Sequence, residues 1–486
     1  MNSDLIISNH NEVYLHVQCN DGIAYELRDA FTFMVPGSQF TPQFRAKLWD
    51  GKIRIFDVRK RQIYRGLLDQ VIQFANDRNY THSYPEVYES EFSLSEATQF
   101  INTLNLTLEP RDYQIEALVS AVRSNRRVFL AATSAGKSMM IYLIMRYYKK
   151  KTLLIVPTTS LVYQMSTDFK SYGYEDDCHL IMAGREKDSN CLFTISTWQS
   201  IFNQPKQWFD QFDVVVGDEC HTMKAASLTK IMCNLTKCKY RFGFTGTLDG
   251  TKTNTTIISG LFGPVKKIIS TKELMDNKQI ADFKIKCIVL KHSEIQCKAA
   301  KNYTYSQEIE YLILNEHRNN FISNLGIYLN GNTLILFKYV EKHGKILYEM
   351  INSMKDNDRK IFFIYGKTDA EVREEIRGIV ETESNAIIVA SYAVYSTGIN
   401  IKNLHNIIFA SPSKSRIRNL QSIGRGLRLS DTKKSAVLFD IADDLRYKKS
   451  VNYTLNHYME RIRLYSEEKF QFKIYKIDFS QNQRVD

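Results

Sequence analysis

The stretch AATSAGKS at residues 131–138 decides the fold of this chain, because it joins an apolar, strand-like run to an apolar, helical one. In that position, backbone N–H groups and a helix N-terminus can surround the phosphates of a nucleotide. Lys137 is expected to reach the β and γ phosphates, and the Ser138 hydroxyl to bind Mg²⁺. The backbone cradle is expected to comprise Thr133, Ser134, Ala135 and Gly136.

An acidic pair, Asp218 and Glu219, follows a later apolar run and begins the sequence DECH. Acidic groups at the carboxyl end of a buried strand lie in the crevice where α/β sheets bind ligands. Asp218 is therefore a candidate Mg²⁺ ligand, and Glu219 a candidate to orient or deprotonate the attacking water. Alone, the first motif can be a chance match and the second a helix cap. Their occurrence in this order favours nucleotide hydrolysis.

Short apolar runs separated by helical patterns continue along the chain in two series. Such runs predict βαβ units and parallel sheets. The first series occupies 128–132, 153–156, 192–195, 214–216 and 241–244. The second occupies 283–290, 333–337, 361–365, 387–390, 407–410 and 436–439. We therefore predict an α/β protein with two parallel-sheet lobes that join near 270–282.

The segments outside these two series predict a small N-terminal domain, additional helices and a C-terminal tail. A strand at 12–17, a helix near 22–33, a hairpin near 44–56 and a helix near 66–78 indicate a small α+β domain before residue 105. Two helices are expected within 297–331, and a basic, helical tail after 447. The predicted domains are 1–105, 106–275, 276–447 and 448–486.

A third motif, QSIGRGLR, lies late in the second lobe and contains Gln421, Arg425 and Arg428. On a helix these positions are i, i+4 and i+7, so they share one face. The face could simply be solvated. Alternatively, the arginines reach across a cleft and stabilise charge on the transferring phosphate, which would make hydrolysis depend on lobe closure.

Composition limits the classes of partner. Lys and Arg outnumber Asp and Glu by 65 to 53, which fits a polyanion. The eight Cys form no CxxC pair, so neither zinc nor disulfides are indicated. No signal peptide and no apolar run of ~20 residues is present, so we expect no membrane association. The expected location is the cytoplasm.

The three motifs, in this order, resemble those of superfamily 2 helicases, which carry two tandem RecA-like lobes. The resemblance spans 107–447 and includes RDYQ (111–114), PTTSL (157–161), STWQS (196–200), TGT (245–247) and STGIN (396–400). It implies that ATP is the nucleotide. The nucleotide contacts it adds are Arg111, Gln114, Gly398 and Asn400. The DNA contacts it implies are Thr158, Thr197, Trp198 and Thr397. The resemblance also implies that three residues, His221, Thr245 and Thr247, couple hydrolysis to the grip on the DNA strand.

A closer similarity, to the recombination helicases of T-even-type phages, covers nearly the whole chain. It is carried by PQFRAKLWDGKIRIFD (42–57), PTTSLVYQM (157–165), STWQSIF (196–202), GDECH (217–221), ASYAVYSTGINIKNLH (390–405) and QSIGRGLR (421–428). It implies a 3′-to-5′ DNA helicase acting on forks, Holliday junctions, D-loops and R-loops in recombination, repair and replication restart. A phage-encoded chain would act in the cytoplasm of the host. The expected partners are single-stranded, duplex and branched DNA. RNA–DNA hybrids, recombination proteins and single-strand-binding proteins are further candidates.

Three alternatives to a DNA helicase remain. A translocase subunit of a nuclease complex would need a nuclease cluster, and no convincing one occurs outside the motor motifs. An RNA or RNA–DNA hybrid helicase is the second. A nucleotide-binding scaffold without turnover would require loss of Glu219 or of the paired arginines, and all are present.

The N-terminal segment 41–65 is strongly basic, with eight Lys and Arg against Asp50 and Asp57. Asp50-Gly51 indicates a tight hairpin, and Lys52 and Arg54 alternate with isoleucines as in a half-buried strand. The segment is either a solvated basic face or a surface that grips duplex phosphates near a junction, through Lys52 and Arg54.

Overall fold

The computed structural model describes residues 3–480, except 88, 183, 185, 222–225, 249, 355–358, 399–400, 402, 412–422 and 425–434. The side chains of 370 and 396–398 are also outside the description. The chain divides into two compact units. One comprises Met1–Ala132 and Gly136–Ile269, and the other comprises Ser270–Asp486 and Thr133–Ala135.

The N-terminal part of the first unit is a small α+β domain. Its four-stranded sheet has the order β5-β2-β1-β6, and a separate ribbon pairs β3 with β4. The strands are β1 Leu5–Asn9, β2 Tyr14–Gln18, β3 Thr32–Met34, β4 Lys52–Arg54, β5 Gln62–Tyr64 and β6 His82–Ser83. The helices are Asp21–Ala30, Pro42–Arg45, Leu68–Asp77 and Leu94–Asn102.

The predicted hairpin at 44–56 is wrong. β4 pairs antiparallel with β3, so the ribbon closes over the long connection 35–51 rather than over a tight turn. The reason is local, because Thr41 caps a helical turn by accepting a hydrogen bond from the Phe44 amide and Pro42 stands at its first position. Residues 42–45 are thereby committed to helix and cannot pair with β4.

The rest of the first unit is built on a seven-stranded parallel sheet of order β13-β7-β12-β11-β8-β10-β9. The strands are β7 Arg126–Ala131, β8 Thr152–Val156, β9 His179–Ile181, β10 Phe193–Thr197, β11 Val214–Gly217, β12 Tyr240–Thr245 and β13 Val265–Ile269. The helices are Asp112–Ser124, Lys137–Tyr148, Thr159–Ser171, Trp198–Ile201, Lys206–Phe209, Ala226–Asn234 and Lys252–Phe262. All five predicted runs form strands. β9 and β13 were not predicted.

The N-terminal domain and this sheet share one hydrophobic core, from Leu5 to Phe262. The join requires close backbone approach, since a Cβ on Gly66 would lie 2.0 Å from the Ser259 carbonyl oxygen. Beside it, Glu12 pairs with Arg65 at 2.6 Å and with Arg126 at 2.8 Å. The small domain is therefore packed as part of the first unit.

The second unit contains another seven-stranded parallel sheet, of order β16-β17-β15-β18-β19-β14-β20. The strands are β14 Asp282–Lys291, β15 Thr333–Phe337, β16 Ile361–Ile364, β17 Ile387–Ser391, β18 Asn406–Phe409, β19 Ser435–Asp444 and β20 Gln471–Asp478. The described helices are Thr271–Asp276, Glu294–Ala300, Tyr305–Leu314, Glu316–Tyr328, Lys345–Met354, Ala370–Thr382, Tyr392–Gly398 and Tyr453–Glu467. All six predicted runs form strands, so the α/β architecture with two parallel sheets is confirmed.

The C-terminal segment contains more than the predicted helix. After Tyr453–Glu467 the chain forms β20, which pairs in parallel with β14 at the edge of the sheet. The helix is fastened at its start, because the buried Glu308 accepts hydrogen bonds from the amides of Tyr453 and Thr454 at 2.8 and 2.7 Å. β20 escaped prediction because an edge strand is mostly exposed and its sequence lacks a buried apolar run.

Within the described part of the chain, no helix is both long and apolar enough to cross a membrane.

Candidate nucleotide-hydrolysis site

The predicted phosphate loop lies between the end of β7 and the helix Lys137–Tyr148. Two of its residues have left-handed backbones, Ser134 with φ 72° and Gly136 with φ 72°. At Gly136 a Cβ would also stand 2.5 Å from Nε2 of Gln114, so a side chain there would displace the Gln114 amide from the loop. Ser134 adopts this conformation despite its Cβ, and such strain is concentrated at functional sites.

The acidic pair stands at the carboxyl end of β11, in the same sheet. Glu219 has a φ of 49°, an uncommon value for a residue with a side chain. Its Oε1 lies 3.4 Å from the ammonium of Lys137, so the loop lysine and the candidate base form an ion pair. The structure thus brings together two residues that are 82 positions apart, 219 minus 137, in the sequence.

The two carboxyl groups have opposite pKa shifts. Burial and the nearby charge of Glu219 raise the pKa of Asp218. Burial also acts to raise the pKa of Glu219, but the charge of Lys137 and a hydrogen bond from His221 outweigh it and lower that pKa. Paired titratable groups whose pKa values are pushed apart are typical of catalytic sites.

Asp218 also offers an atom that suits a cation. Its Oδ1 is buried and has no hydrogen-bond partner among the described residues. A buried carboxylate oxygen without a donor is costly, and a hard divalent ion would satisfy it. Asp218 therefore fits the predicted role of Mg²⁺ ligand.

A hydrogen-bonded chain leads from Glu219 toward β12. Nδ1 of His221 lies 3.1 Å from Oε2 of Glu219 and 2.9 Å from Oγ1 of Thr245. Thr245 in turn donates to the carbonyl oxygen of Thr247 at 2.9 Å. Because the Thr245 proton is used there, we infer that Nδ1 of His221 carries the proton it shares with both acceptors. Of the three residues predicted to couple hydrolysis to strand grip, His221 contacts the candidate base, and Thr245 and Thr247 are linked to it through His221.

On its other side the phosphate loop is tied to Gln114. The amide nitrogen of this buried side chain donates to the Gly136 carbonyl at 3.4 Å, and its oxygen accepts from the Arg111 amide at 2.9 Å. Arg111 itself donates to the Tyr113 hydroxyl. The RDYQ motif therefore lies against the loop, as nucleotide binding by Arg111 and Gln114 would require.

Sequence reasoning missed one residue at this site. The Tyr172 hydroxyl lies 2.7 Å from Oγ of Ser138, the candidate Mg²⁺ ligand. Tyr172 is buried and packs edge-on against Tyr142 of the loop's own helix. It follows a helix end and belongs to no recognisable motif, so the sequence carries no signal for it.

The predicted DNA contacts of the first unit lie at the ends of β8 and β10. Thr158 caps the helix Thr159–Ser171 and is hydrogen-bonded to Ser160. Thr197 is buried and bonded to Ser200 at 2.9 Å. Trp198 is half-buried and packs on the core. Their contacts with DNA remain predictions.

Several predicted site residues fall outside the described residues. They are Asn400, Gln421, Arg425 and Arg428. Thr397 and Gly398 lie at the end of the helix Tyr392–Gly398, and nothing is described of their side chains. The roles of these six residues also remain predictions.

The candidate base contacts the phosphate-loop lysine directly and the TGT segment through His221. This arrangement places the chain in the class of ATP-driven superfamily 2 helicases. Family profiles agree with this class. Residues 107–250 match the type III restriction enzyme res subunit, and 317–430 match the helicase conserved C-terminal domain. Residues 4–84 match the N-terminal domain of the DNA helicase UvsW. The chain belongs to the UvsW family of DNA helicases.

Individual relatives support the assignment. The ATP-dependent DNA helicase uvsW of Enterobacteria phage T4 is 34% identical, over 96% of this chain and 98% of the relative. The crystal structure of T4 UvsW matches 98% of this chain and 99% of its own, with a TM-score of 0.52 and 32% identity. The DNA 3′-5′ translocase XPB2 of Sulfurisphaera tokodaii is 27% identical, over 69% of this chain and 81% of the relative.

Proposed function

We propose that this helicase moves 3′-to-5′ along DNA and unwinds and branch-migrates forks, Holliday junctions, D-loops and R-loops. The observation that carries the proposal is the continuous contact from Lys137 through Glu219 and His221 to Thr245, which connects ATP chemistry to a segment expected to respond to the strand. Polarity is supported by the translocase named above, and branched substrates by the UvsW relationship. RNA–DNA hybrids are included as the duplex of an R-loop.

In this mechanism the ion pair between Lys137 and Glu219 sets the timing of hydrolysis. In the structure the lysine contacts the Glu219 carboxylate and helps to keep its pKa low, which makes it a weak base. When the ammonium turns to the phosphates of ATP, this charge leaves and the pKa of Glu219 rises. Glu219 then accepts the proton of the attacking water. Base strength thus depends on bound ATP.

Ser138 and Asp218 would hold Mg²⁺, which neutralises charge on the β and γ phosphates. His221 keeps the Glu219 carboxylate oriented through Nδ1 and transmits its position to Thr245. Gln114 holds the loop at Gly136. The arginines of QSIGRGLR, Arg425 and Arg428, complete the proposal as the groups that stabilise charge on the transferring phosphate.

The proposed function is tested by comparing ATPase rates on single-stranded, duplex, forked and four-way DNA, and unwinding of substrates with only a 3′ or only a 5′ overhang. We expect the highest rates on branched DNA and unwinding only from the 3′ overhang. Equal rates on all four substrates would contradict branch specificity. Unwinding from the 5′ overhang would contradict the polarity.

The hydrogen bond between Tyr172 and Ser138 leads to a prediction about Mg²⁺. Tyr172→Phe removes the bond and keeps the ring that packs on Tyr142, so Ser138 loses its orientation. We expect the Mg²⁺ concentration for half-maximal ATPase to rise about fivefold, the equivalent of one hydrogen bond of ~1 kcal/mol.

Tyr174→Phe is the matched control for this measurement. Tyr174 also packs on Tyr142, and its buried hydroxyl has no hydrogen-bond partner among the described residues. The same Mg²⁺ titration should be unchanged in this variant. If the two variants behave alike, Tyr172 serves only in packing.

The basic surface of the small domain supports DNA binding through Lys52 and Arg54. Both side chains are exposed, on either side of half-buried Ile53. Arg54 is paired with Asp50, which raises the pKa of its guanidinium and offsets part of its charge. Lys52 forms no ion pair among the described residues, although it lies near enough to Asp50 to interact with its charge, and it is therefore the stronger candidate for a phosphate contact.

Replacing both residues, Lys52→Ala with Arg54→Ala, should weaken binding to forked and four-way DNA. The slope of log K against log salt should flatten by ~0.9 for each phosphate that the protein no longer neutralises. ATPase on single strands should persist. The matched control is Lys170→Ala with Lys237→Ala, two exposed lysines that are each paired with an acid, as Arg54 is. An unchanged salt slope and unchanged junction binding would show that this surface is a solvated face that does not bind DNA.

A further inference from the structure

The connection 35–51 between β3 and β4, here called the β3–β4 tip, is a braced structure. The Val35 amide donates to the Gly51 carbonyl at 2.8 Å, which closes its base. Trp49 donates from Nε1 to the Lys52 carbonyl at 2.9 Å. Inside the tip the packing is tight, because a Cβ on Gly51 would lie 2.7 Å from Oγ of Ser38. The tip therefore has a braced backbone from which its outer side chains project.

Two large apolar side chains point outward from the tip. Phe40 is 69% exposed and Leu48 is 81% exposed. Single exposed apolar residues are common on protein surfaces and need no explanation by themselves. These two, however, share one short, braced connection with exposed cations, Arg45 and Lys47, that have no acidic partner among the described residues.

The charges around these apolar groups decide which partner fits them. A polyanion satisfies the cations, and among polyanions DNA also presents flat apolar surfaces, namely the faces of its bases. In an intact duplex those faces are stacked and unavailable without cost, whereas at a branch point stacking is already interrupted. Apolar side chains on a basic element are a known means of occupying such a step.

We propose that Phe40 and Leu48 form an apolar contact with the bases at a DNA branch point, while Arg45 and Lys47 hold the flanking phosphates. The proposal rests on the proposed action on branched DNA and adds the element that recognises the branch. It differs from the role of Lys52 and Arg54, because base contacts select the junction whereas phosphate contacts bind any duplex.

The test uses Phe40→Ala with Leu48→Ala in the full chain. Binding is measured on a fork that carries 2-aminopurine at the branch, on the corresponding linear duplex, and over a range of salt. Base stacking on an aromatic side chain such as Phe40 contributes ~5- to 150-fold per base. We therefore expect the fork-to-duplex affinity ratio to fall by about tenfold or more and the 2-aminopurine fluorescence change to disappear. The salt slope should stay as in the unaltered protein.

The controls distinguish base contact by Phe40 and Leu48 from phosphate contacts and from the proposed function itself. Leu94→Ala with Tyr328→Ala removes two comparably exposed apolar side chains elsewhere and should change nothing. Phe40→Tyr keeps the ring and should keep the fluorescence change. A fork preference and fluorescence change that survive the double replacement would overturn the proposal alone. Equal losses on fork and duplex, with a flatter salt slope, would overturn it in favour of phosphate contacts. Equal affinity of the unaltered protein for fork and duplex would instead overturn the proposed function together with this inference.

Discussion

ATP hydrolysis by the Lys137→Ala variant is expected to fall ~10²–10³-fold, the range found when a preorganised group that stabilises developing charge is removed. Two consequences of the change act together. The phosphates of ATP lose their cation, and Glu219 loses the charge that lowers its pKa in a buried position. DNA binding should remain close to that of the unaltered protein, because the predicted strand contacts lie on other loops.

The measurement is phosphate release with saturating single-stranded DNA, beside DNA binding by the same preparation. Lys150→Ala, an exposed lysine beyond the end of the loop's helix, is the control and should hydrolyse ATP normally. Hydrolysis at the unaltered rate in a Lys137→Ala variant that still binds DNA would contradict the site assignment.

A second comparison tests the ion pair itself. Removing one partner of a largely buried pair leaves the other charge uncompensated, which is destabilising. Lys137→Ala should therefore lower the melting temperature, and adding Glu219→Gln should restore part of the loss. No recovery in the double variant would show that Lys137 and Glu219 do not stabilise each other.

The two sheets were predictable because their central strands are buried on both faces. Runs such as 153–156 and 333–337 must then be apolar throughout, and this is visible in one sequence. β13 is flanked by β7 alone at a sheet edge and carries Lys266 and Lys267, so its sequence does not show the pattern. β20 was not predicted for the same reason, because it also lies at a sheet edge. Both strands escaped prediction because they lie at sheet edges, and no local sequence pattern reveals that position.

The residues of the candidate site also differ in whether the sequence could predict them. Lys137, Asp218 and Glu219 could be predicted because phosphate and metal chemistry require specific residue types at the ends of strands. The contact between His221 and Thr245 depends on β11 and β12 being neighbours, which the order of strands along the chain does not state. Tyr172 could not be found at all, because its position against Ser138 arises only from the packing of two helices.

Glu219→Gln is expected to bind ATP and DNA but to hydrolyse ATP ~10²–10⁴-fold more slowly, the usual contribution of a general base. The amide has the size of the carboxylate, and its oxygen can still accept the hydrogen bond from Nδ1 of His221. It cannot accept the proton of the attacking water. Glu175→Gln, an exposed site, is the control. Phosphate release at the unaltered rate would show that Glu219 is not catalytic.

The same variant should change how Mg²⁺-dependent ATP binding responds to pH. A carboxyl group must lose its proton to hold Mg²⁺, so binding should weaken as the pH falls through the pKa of Asp218. Burial and then the charge of Glu219 raise that pKa. Glu219→Gln removes the second cause and leaves the first, so the pKa of Asp218 falls toward its ordinary value. Binding of a fluorescent ATP analogue, titrated with Mg²⁺ across the acidic range, should therefore persist to lower pH in Glu219→Gln than in the unaltered protein. An unchanged or higher midpoint would mean that Asp218 does not hold the metal beside a charged Glu219.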